Sequence, residues 1–93
     1  MADILNRVVW VDNHKTSIRL ARAEWDAFDI ICQKENIKKN YLIELINARK
    51  NSKLGLTCSV RLFSLIYFYK LFSADENERN GVLPIFEAIR GIA

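Results

Sequence analysis

Polar and apolar residues alternate strictly from Lys15 to Leu20, Lys-Thr-Ser-Ile-Arg-Leu. Successive side chains of a strand point to opposite faces. An extended segment here therefore sets Lys15, Ser17 and Arg19 on one side and Thr16, Ile18 and Leu20 on the other. A lone strand can neither bury its apolar face nor satisfy its backbone groups. Ahead of helices in a short chain, the economical partner is the same strand of a second copy. The polar faces then form one two-stranded ribbon, a shape that the major groove of B-DNA admits. Just upstream, Arg7 to Val11 is β-branched and aromatic and prefers an extended form. Asp12-Asn13-His14 reads as a turn, since Asp and Asn tolerate turn dihedrals. The pattern leaves open whether this first segment pairs as a hairpin or runs free as an arm.

The period changes at Arg22. Trp25, Phe28, Ile31 and Cys32 recur at helical intervals up to about Glu35, with Glu24, Asp26 and Asp29 crowding the early turns. Asn36 is a natural stop, because Asn tolerates the left-handed conformation found there. A second helix is predicted from about Lys39 to Lys50, with Leu42, Leu45 and Ile46 inward and Ile37 just ahead of it. A third fits about Thr57 to Phe72. Val60, Phe63 and Tyr67 make one apolar line on it, and Leu62, Leu65, Ile66 and Tyr69 another. A helix apolar nearly all round is covered on more than one side, and a second subunit is the expected cover. Ser73 to Gly81 is a polar, acidic link, and Val82 to Ile92 can hold a last short helix with Pro84 in its first turn.

Composition narrows the choice. The chain has 93 residues, enough for one small domain, and 51% of them are hydrophobic, more than a small monomer easily hides. Three Gly and one Pro are too few for a many-turned β fold. The net charge of +3 is modest, so its placement matters more than its sum. Cys32 and Cys58 fall within apolar helical patterns and read as buried thiols of a reducing compartment. No positive, apolar leader opens the chain, and Arg61 and Lys70 interrupt its greasiest stretch, so neither export nor a membrane span is expected. One His without a clustered Cys or carboxylate offers no metal site, no cofactor-binding loop is present, and no nucleophile has an evident base. Ser59 and Ser64 sit among core positions, Trp10 and Trp25 read as packing residues, and Arg61 should form an ion pair with an acid such as Glu44 or Asp29. An enzyme is not expected.

In order and spacing, four segments together resemble the ribbon-helix-helix family of dimeric Arc/MetJ-type DNA-binding regulators, in particular a bacterial branch with an added third helix. They are Lys-Thr-Ser-Ile-Arg-Leu at 15–20, Glu-Trp-Asp-Ala-Phe at 24–28, Asn-Ile-Lys-Lys-Asn-Tyr-Leu-Ile at 36–43 and Leu-Thr-Cys-Ser-Val-Arg-Leu-Phe-Ser-Leu-Ile-Tyr at 56–67. The resemblance implies a mostly α fold, with one short N-terminal strand pairing across a homodimer and three to four helices behind it. It places Lys15, Ser17 and Arg19 as base readers. Lys38, Lys39 and Asn40 fall where an open helix start grips a phosphate. Ile18, Leu20, Trp25, Phe28, Leu42, Leu45 and Ile46 become the dimer core. Arg7, His14 and Arg22 flank the strand as candidates for further contacts with the DNA backbone.

The expected organisation is an arm or extra strand over 1–14, a ribbon-helix-helix domain over 15–72 and a C-terminal extension over 73–93. The expected function is a cytoplasmic, nucleoid-associated transcriptional repressor or autoregulator. It would bind double-stranded DNA as a homodimer, with dimers able to sit side by side. The rival reading is a protein-interaction module, an antitoxin-like partner that uses the apolar third and fourth helices.

Overall fold

Asp12 and Asn13 both adopt positive φ, 50° and 65°. A two-residue type I′ turn requires this pair of left-handed conformations, and Asp and Asn tolerate them better than most residues. The turn folds β1 (Ile4–Val11) back onto β2 (His14–Ala21) in an antiparallel ladder from Val11–His14 to Ile4–Ala21. The computed structural model describes residues 3–73 and 83–93. Behind the hairpin come α1 (Arg22–Glu35), α2 (Lys39–Arg49), α3 (Leu56–Ser73) and α4 (Pro84–Ile92). The acidic link lies outside the described residues from 74 onward, and so does Val82.

The architecture is thus the expected ribbon followed by four helices, but one edge of the 15–20 strand is paired within its own chain. The arm-or-hairpin question resolves as a hairpin. A two-residue loop closes at little entropic cost, whereas recruiting a second molecule does not.

The inward sides of the two strands, Val9, Val11, Ile18 and Leu20, join Trp25, Phe28 and Ile31 of α1, Leu42, Ile43 and Ile46 of α2, and Val60, Phe63 and Tyr67 of α3 in one buried cluster. Six of the seven residues assigned to a dimer core, Ile18, Leu20, Trp25, Phe28, Leu42 and Ile46, are therefore already buried inside a single chain, because α3 packs across both α1 and α2. Leu45, the seventh, is partly buried and packs at the rim of the cluster, while Ile43 takes the fully buried place beside Leu42. Part of the second apolar line of α3 is covered from within as well. The side chain of Ile66 lies against Gly91 of α4, where a Cβ would collide with it. Leu65 and Tyr69 stay exposed.

Polar contacts fix how the elements meet. Glu24 accepts a hydrogen bond from the Ala21 N–H at 2.7 Å, closing the first turn of α1. Its other oxygen lies 2.8 Å from Arg61 Nε. The ion pair expected of Arg61 is therefore made with Glu24, not Glu44 or Asp29, because the first turn of α1 faces α3. At the far end of α1, Asn36 is left-handed (φ 53°), and the Ile37 N–H donates across it to Cys32 O at 3.0 Å. Tyr67 donates its hydroxyl to Glu35 at 2.6 Å, joining α3 to α1. Burial pushes the Cys32 thiol above its usual range, helped by the Asp29 charge. Cys58, expected inside, is exposed on α3.

A third cluster surrounds Trp25, whose indole N–H donates to Leu5 O at 3.0 Å. The Arg7 guanidinium lies 4.8 Å from its ring centre and the Lys39 ammonium 5.7 Å. Both cations converge on Asp29, at 3.6 and 2.8 Å. One carboxylate of α1 thereby ties β1 to the start of α2. At about one-third exposure each contact is a modest one.

Two outcomes follow for stability. Burial first, and then the Glu35 carboxylate, raise the Tyr67 phenol well above its ordinary value. A folded-state value above the unfolded one means the stabilisation is complete below about pH 10 and is lost as pH rises further. The raised Cys32 thiol adds a similar decline beginning near pH 9. Urea unfolding between pH 7 and 11 should show both, and Tyr67→Phe should lower stability by about 1 kcal/mol at neutral pH and remove only the later slope. Lys39→Met should lower stability by about 0.5 kcal/mol, whereas Lys38→Met, which removes a cation from the positive end of α2, should raise the urea midpoint slightly.

Candidate nucleic-acid interface

Strand alternation divides the hairpin as the sequence implies. Lys15, Ser17 and Arg19 are exposed on the outer face, while Thr16, Ile18 and Leu20 turn toward the helices. The ladder register adds the matching residues of β1. Asn6 stands opposite Arg19, Val8 opposite Ser17 and Trp10 opposite Lys15, and all three are exposed. Sequence reasoning missed this second row and read Trp10 as a packing residue. Its indole is 51% exposed, unlike that of Trp25, which is fully buried. The two-residue Asp-Asn turn was the available signal, because it fixes the register and with it which residues share a face.

Neither strand contains an acid, and the outer face carries Lys15 and Arg19. Asp12, at the turn, lies 3.5 Å from the Asn47 side-chain amide of α2. The surface is positive, with a polar row on β2 beside Asn6, Val8 and Trp10 of β1.

The two edges of the sheet differ. Non-hydrogen-bonded pairs of an antiparallel ladder point their backbone groups outward. On β1, both outward groups of Trp10 are taken by one side chain: Asn40 Oδ1 accepts from the Trp10 N–H at 2.9 Å, and Asn40 Nδ2 donates to the Trp10 carbonyl at 2.9 Å. The amide of Asn40 acts as a one-residue strand at the Trp10 end of this edge, with α2 running beside it, while the outward groups of Asn6 and Val8 have no bond outside the ladder among the described residues. On β2 no described group outside the ladder hydrogen-bonds the backbone of Lys15, Ser17 or Arg19.

The second expected contact area is the start of α2. Lys38 sits at its N-cap with extended backbone and makes no side-chain capping bond. The first intrahelical donor here is the Leu42 N–H, bonded to Lys38 O at 3.0 Å, so the N–H groups of Lys39, Asn40 and Tyr41 have no helical acceptor. Of the three residues placed here, only the Lys38 side chain is uncommitted among the described residues. The Lys39 ammonium is held by Asp29 and the Asn40 amide by β1, for the structural reasons given above. Among the flanking residues, Arg7 turns inward over Trp25, and Arg22, well exposed, lies 3.7 Å from Asp3. His14 is exposed, on the helix-side face of its strand.

Ser59 and Ser64 donate their hydroxyls to backbone carbonyls one turn earlier, at 2.9 and 3.1 Å. Among the described residues no three metal-ligating side chains cluster, and no helix is long and apolar enough to cross a membrane.

Residues 4–68 match the ribbon-helix-helix domain family, a span that takes in β1, β2, α1, α2 and most of α3. No curated protein and no solved structure matches the chain. With the family match covering well over half its length, the chain belongs to the ribbon-helix-helix family, a family of DNA-binding transcription regulators.

Proposed function

We propose that the protein is a sequence-specific transcriptional regulator, a repressor or autoregulator without catalytic activity, that binds double-stranded DNA as a homodimer. The observation that carries this reading is the open edge of β2, which displays Lys15, Ser17 and Arg19 beside backbone groups that have no partner outside the ladder among the described residues. Two copies joined along that edge present a central two-stranded ribbon, and Asn40 already occupies the Trp10 end of the β1 edge.

The ladder alternation also favours a register. The outward backbone groups belong to residues 15, 17 and 19, so an antiparallel pairing that uses all of them sets Ser17 on the two-fold axis and Lys15 of one copy opposite Arg19 of the other. Like charges directly opposite each other are destabilising. A DNA polyanion over the ribbon removes that repulsion, so assembly and DNA binding support each other.

In this reading the chemistry divides by position. Arg19 and Lys15 donate to guanine O6 and N7, and Ser17 serves several base edges. Lys38 and the free N–H groups at the start of α2 receive a phosphate, which resolves the poor fit of a cation at the positive end of a helix. His14 and Arg22 extend the contact with the backbone, and Arg7 contributes mainly through Asp29. Phosphate contacts supply most of the affinity and the ribbon the specificity. The setting is the cytoplasm, at the nucleoid, with dimers able to sit side by side.

A second reading rests on Leu65 and Tyr69 of α3, 67% and 64% exposed, with Phe86 of α4 also outward. This apolar surface suits a protein partner and is compatible with DNA binding through the opposite side. Co-purification of a stable second chain, with no retardation of any duplex, would favour it as the sole role.

Selection of bound sites from random duplex at stated salt tests the main reading. On the selected site Arg19→Ala should cost about 1–3 kcal/mol and relax specificity, and Lys38→Ala should weaken all sequences alike and reduce the salt slope by about one. An equal loss on every sequence for Arg19→Ala would mark it as a backbone contact instead. Lys15→Glu should strengthen the DNA-free dimer by sedimentation equilibrium while weakening DNA binding. A dimer indifferent to that change would place its interface elsewhere.

A further inference from the structure

An apolar groove of about 320 Å³ runs between α1 and α3, lined by Leu20, Ala23, Ala27, Val60, Leu65 and Phe68 among others. Its direction follows from the helix period. Trp25 bonds β1, and Asp29 holds Arg7 of β1 and Lys39 of α2, so this side of α1 faces β1 and α2. At about 3.6 residues per turn, Ala23, Ala27 and Ile30 lie on nearly the opposite side of α1. They therefore look the same way as the open edge of β2. These three recur in steps of four and three, and Leu65, Phe68 and Phe72 recur in steps of three and four on the adjoining face of α3. Such spacing belongs to helices that pack lengthwise on other helices. Yet Ile30 is 47%, Leu65 67% and Phe72 81% exposed. At the rim, Glu24 and Arg61 are paired with each other at 2.8 Å, which leaves the groove apolar in character.

Resting on the homodimer of the DNA-binding reading, we propose that a second copy fills this groove. The α1–α3 groove of each copy packs on the same groove of the other, across the two-fold axis and beneath the ribbon. Leu65 and Phe68 of one copy sit over Ala23 and Ala27 of its partner. A surface that meets its own image must offer both projections and hollows. This one does, with large side chains on α3 beside alanines on α1. The second copy is the occupant because joining two chains along β2 brings these flanks face to face. The ribbon is also a weak joint by itself. Its backbone bonds replace bonds to water and net little, and Lys15 faces Arg19 across it. Ile30 and Phe72 prolong the apolar strip beyond the groove, so the interface has two layers, a polar ladder above and an apolar seam below. Helix α4 packs on α3 from the side of Ile66, away from α1, and its exposed Phe86 lies outside the seam.

The test is sedimentation equilibrium of the full chain without DNA. Wild type, Leu65→Ala, Ile30→Lys and Phe86→Ala are compared, each checked for unchanged helix content by circular dichroism. Truncating one buried leucine weakens pairing about ten-fold, and two-fold symmetry removes two, so Leu65→Ala should raise the dimer dissociation constant about a hundred-fold. Ile30→Lys should raise it as well, and Phe86→Ala should leave it unchanged. Held below the dissociation constant of the weakened dimer, Leu65→Ala should also need more protein than wild type to fill the selected duplex, at an unaltered salt slope. A dimer indifferent to both Leu65→Ala and Ile30→Lys overturns the proposal, and so does an equal loss from Phe86→Ala, which assigns the contact to α4. A weakened dimer with an unmoved DNA curve also overturns it, because the seam then lies apart from the ribbon. Wild type that is monomeric alone yet fills its duplex as a dimer overturns the seam and leaves the regulator reading standing. A dimer sensitive at Leu65 that retards no duplex keeps the seam and overturns that reading instead.

Discussion

A two-stranded sheet has two edges, and each edge exposes a row of backbone donors and acceptors that another strand can use. The structure turns on how differently the two are treated. Asn40, reaching from the first turn of α2, hydrogen-bonds both free groups of Trp10 and so stands in for a neighbouring strand. No equivalent clasp reaches Lys15, Ser17 or Arg19 among the described residues. The same amide positions α2 beside β1 and blocks pairing at the Trp10 end of that edge, whereas the whole polar row of β2 stays open among the described residues.

Much of the fold was legible in the sequence. Helical periodicity located α1 nearly to the residue, Asn36 marked its end, and the alternation at 15–20 identified both faces of β2. The partner of that strand was not legible from alternation. A segment such as Arg7–Val11 has the same propensity as a hairpin strand or as an arm, and only the conformation of Asp12 and Asn13 decides between them. The inward set on α2 was misjudged at one position, because the helix is covered by β1 on one side and by α3 and α4 on another, widening its buried arc to include Ile43. Arg61 was recognised as an ion-pair former while its partner was not, since choosing among Glu24, Asp29 and Glu44 requires knowing which turn of α1 faces α3.

The candidate surface was readable on β2 and unreadable beyond it. Residue type alone made Lys38, Lys39 and Asn40 equivalent, yet tertiary contacts divide them sharply. Asp29 takes one, the β1 backbone takes another, and among the described residues Lys38 alone keeps its side chain free. Val8 and Trp10 were invisible for a related reason. Apolar residues are normally assigned inward, and only the ladder register turns these two outward. Positions where a hydrophobic pattern fails to match burial are those where something other than folding sets the residue type.

Because Ile18, Leu20, Trp25 and Phe28 are already enclosed by their own α2 and α3, a lone subunit is a finished object and not half of an interlocked one. In the proposed dimer, copies joined along β2 would meet as preformed bodies. Subunits could then be traded between complexes without melting either participant, so that hybrids with sister proteins would equilibrate quickly and occupancy would track abundance with little lag.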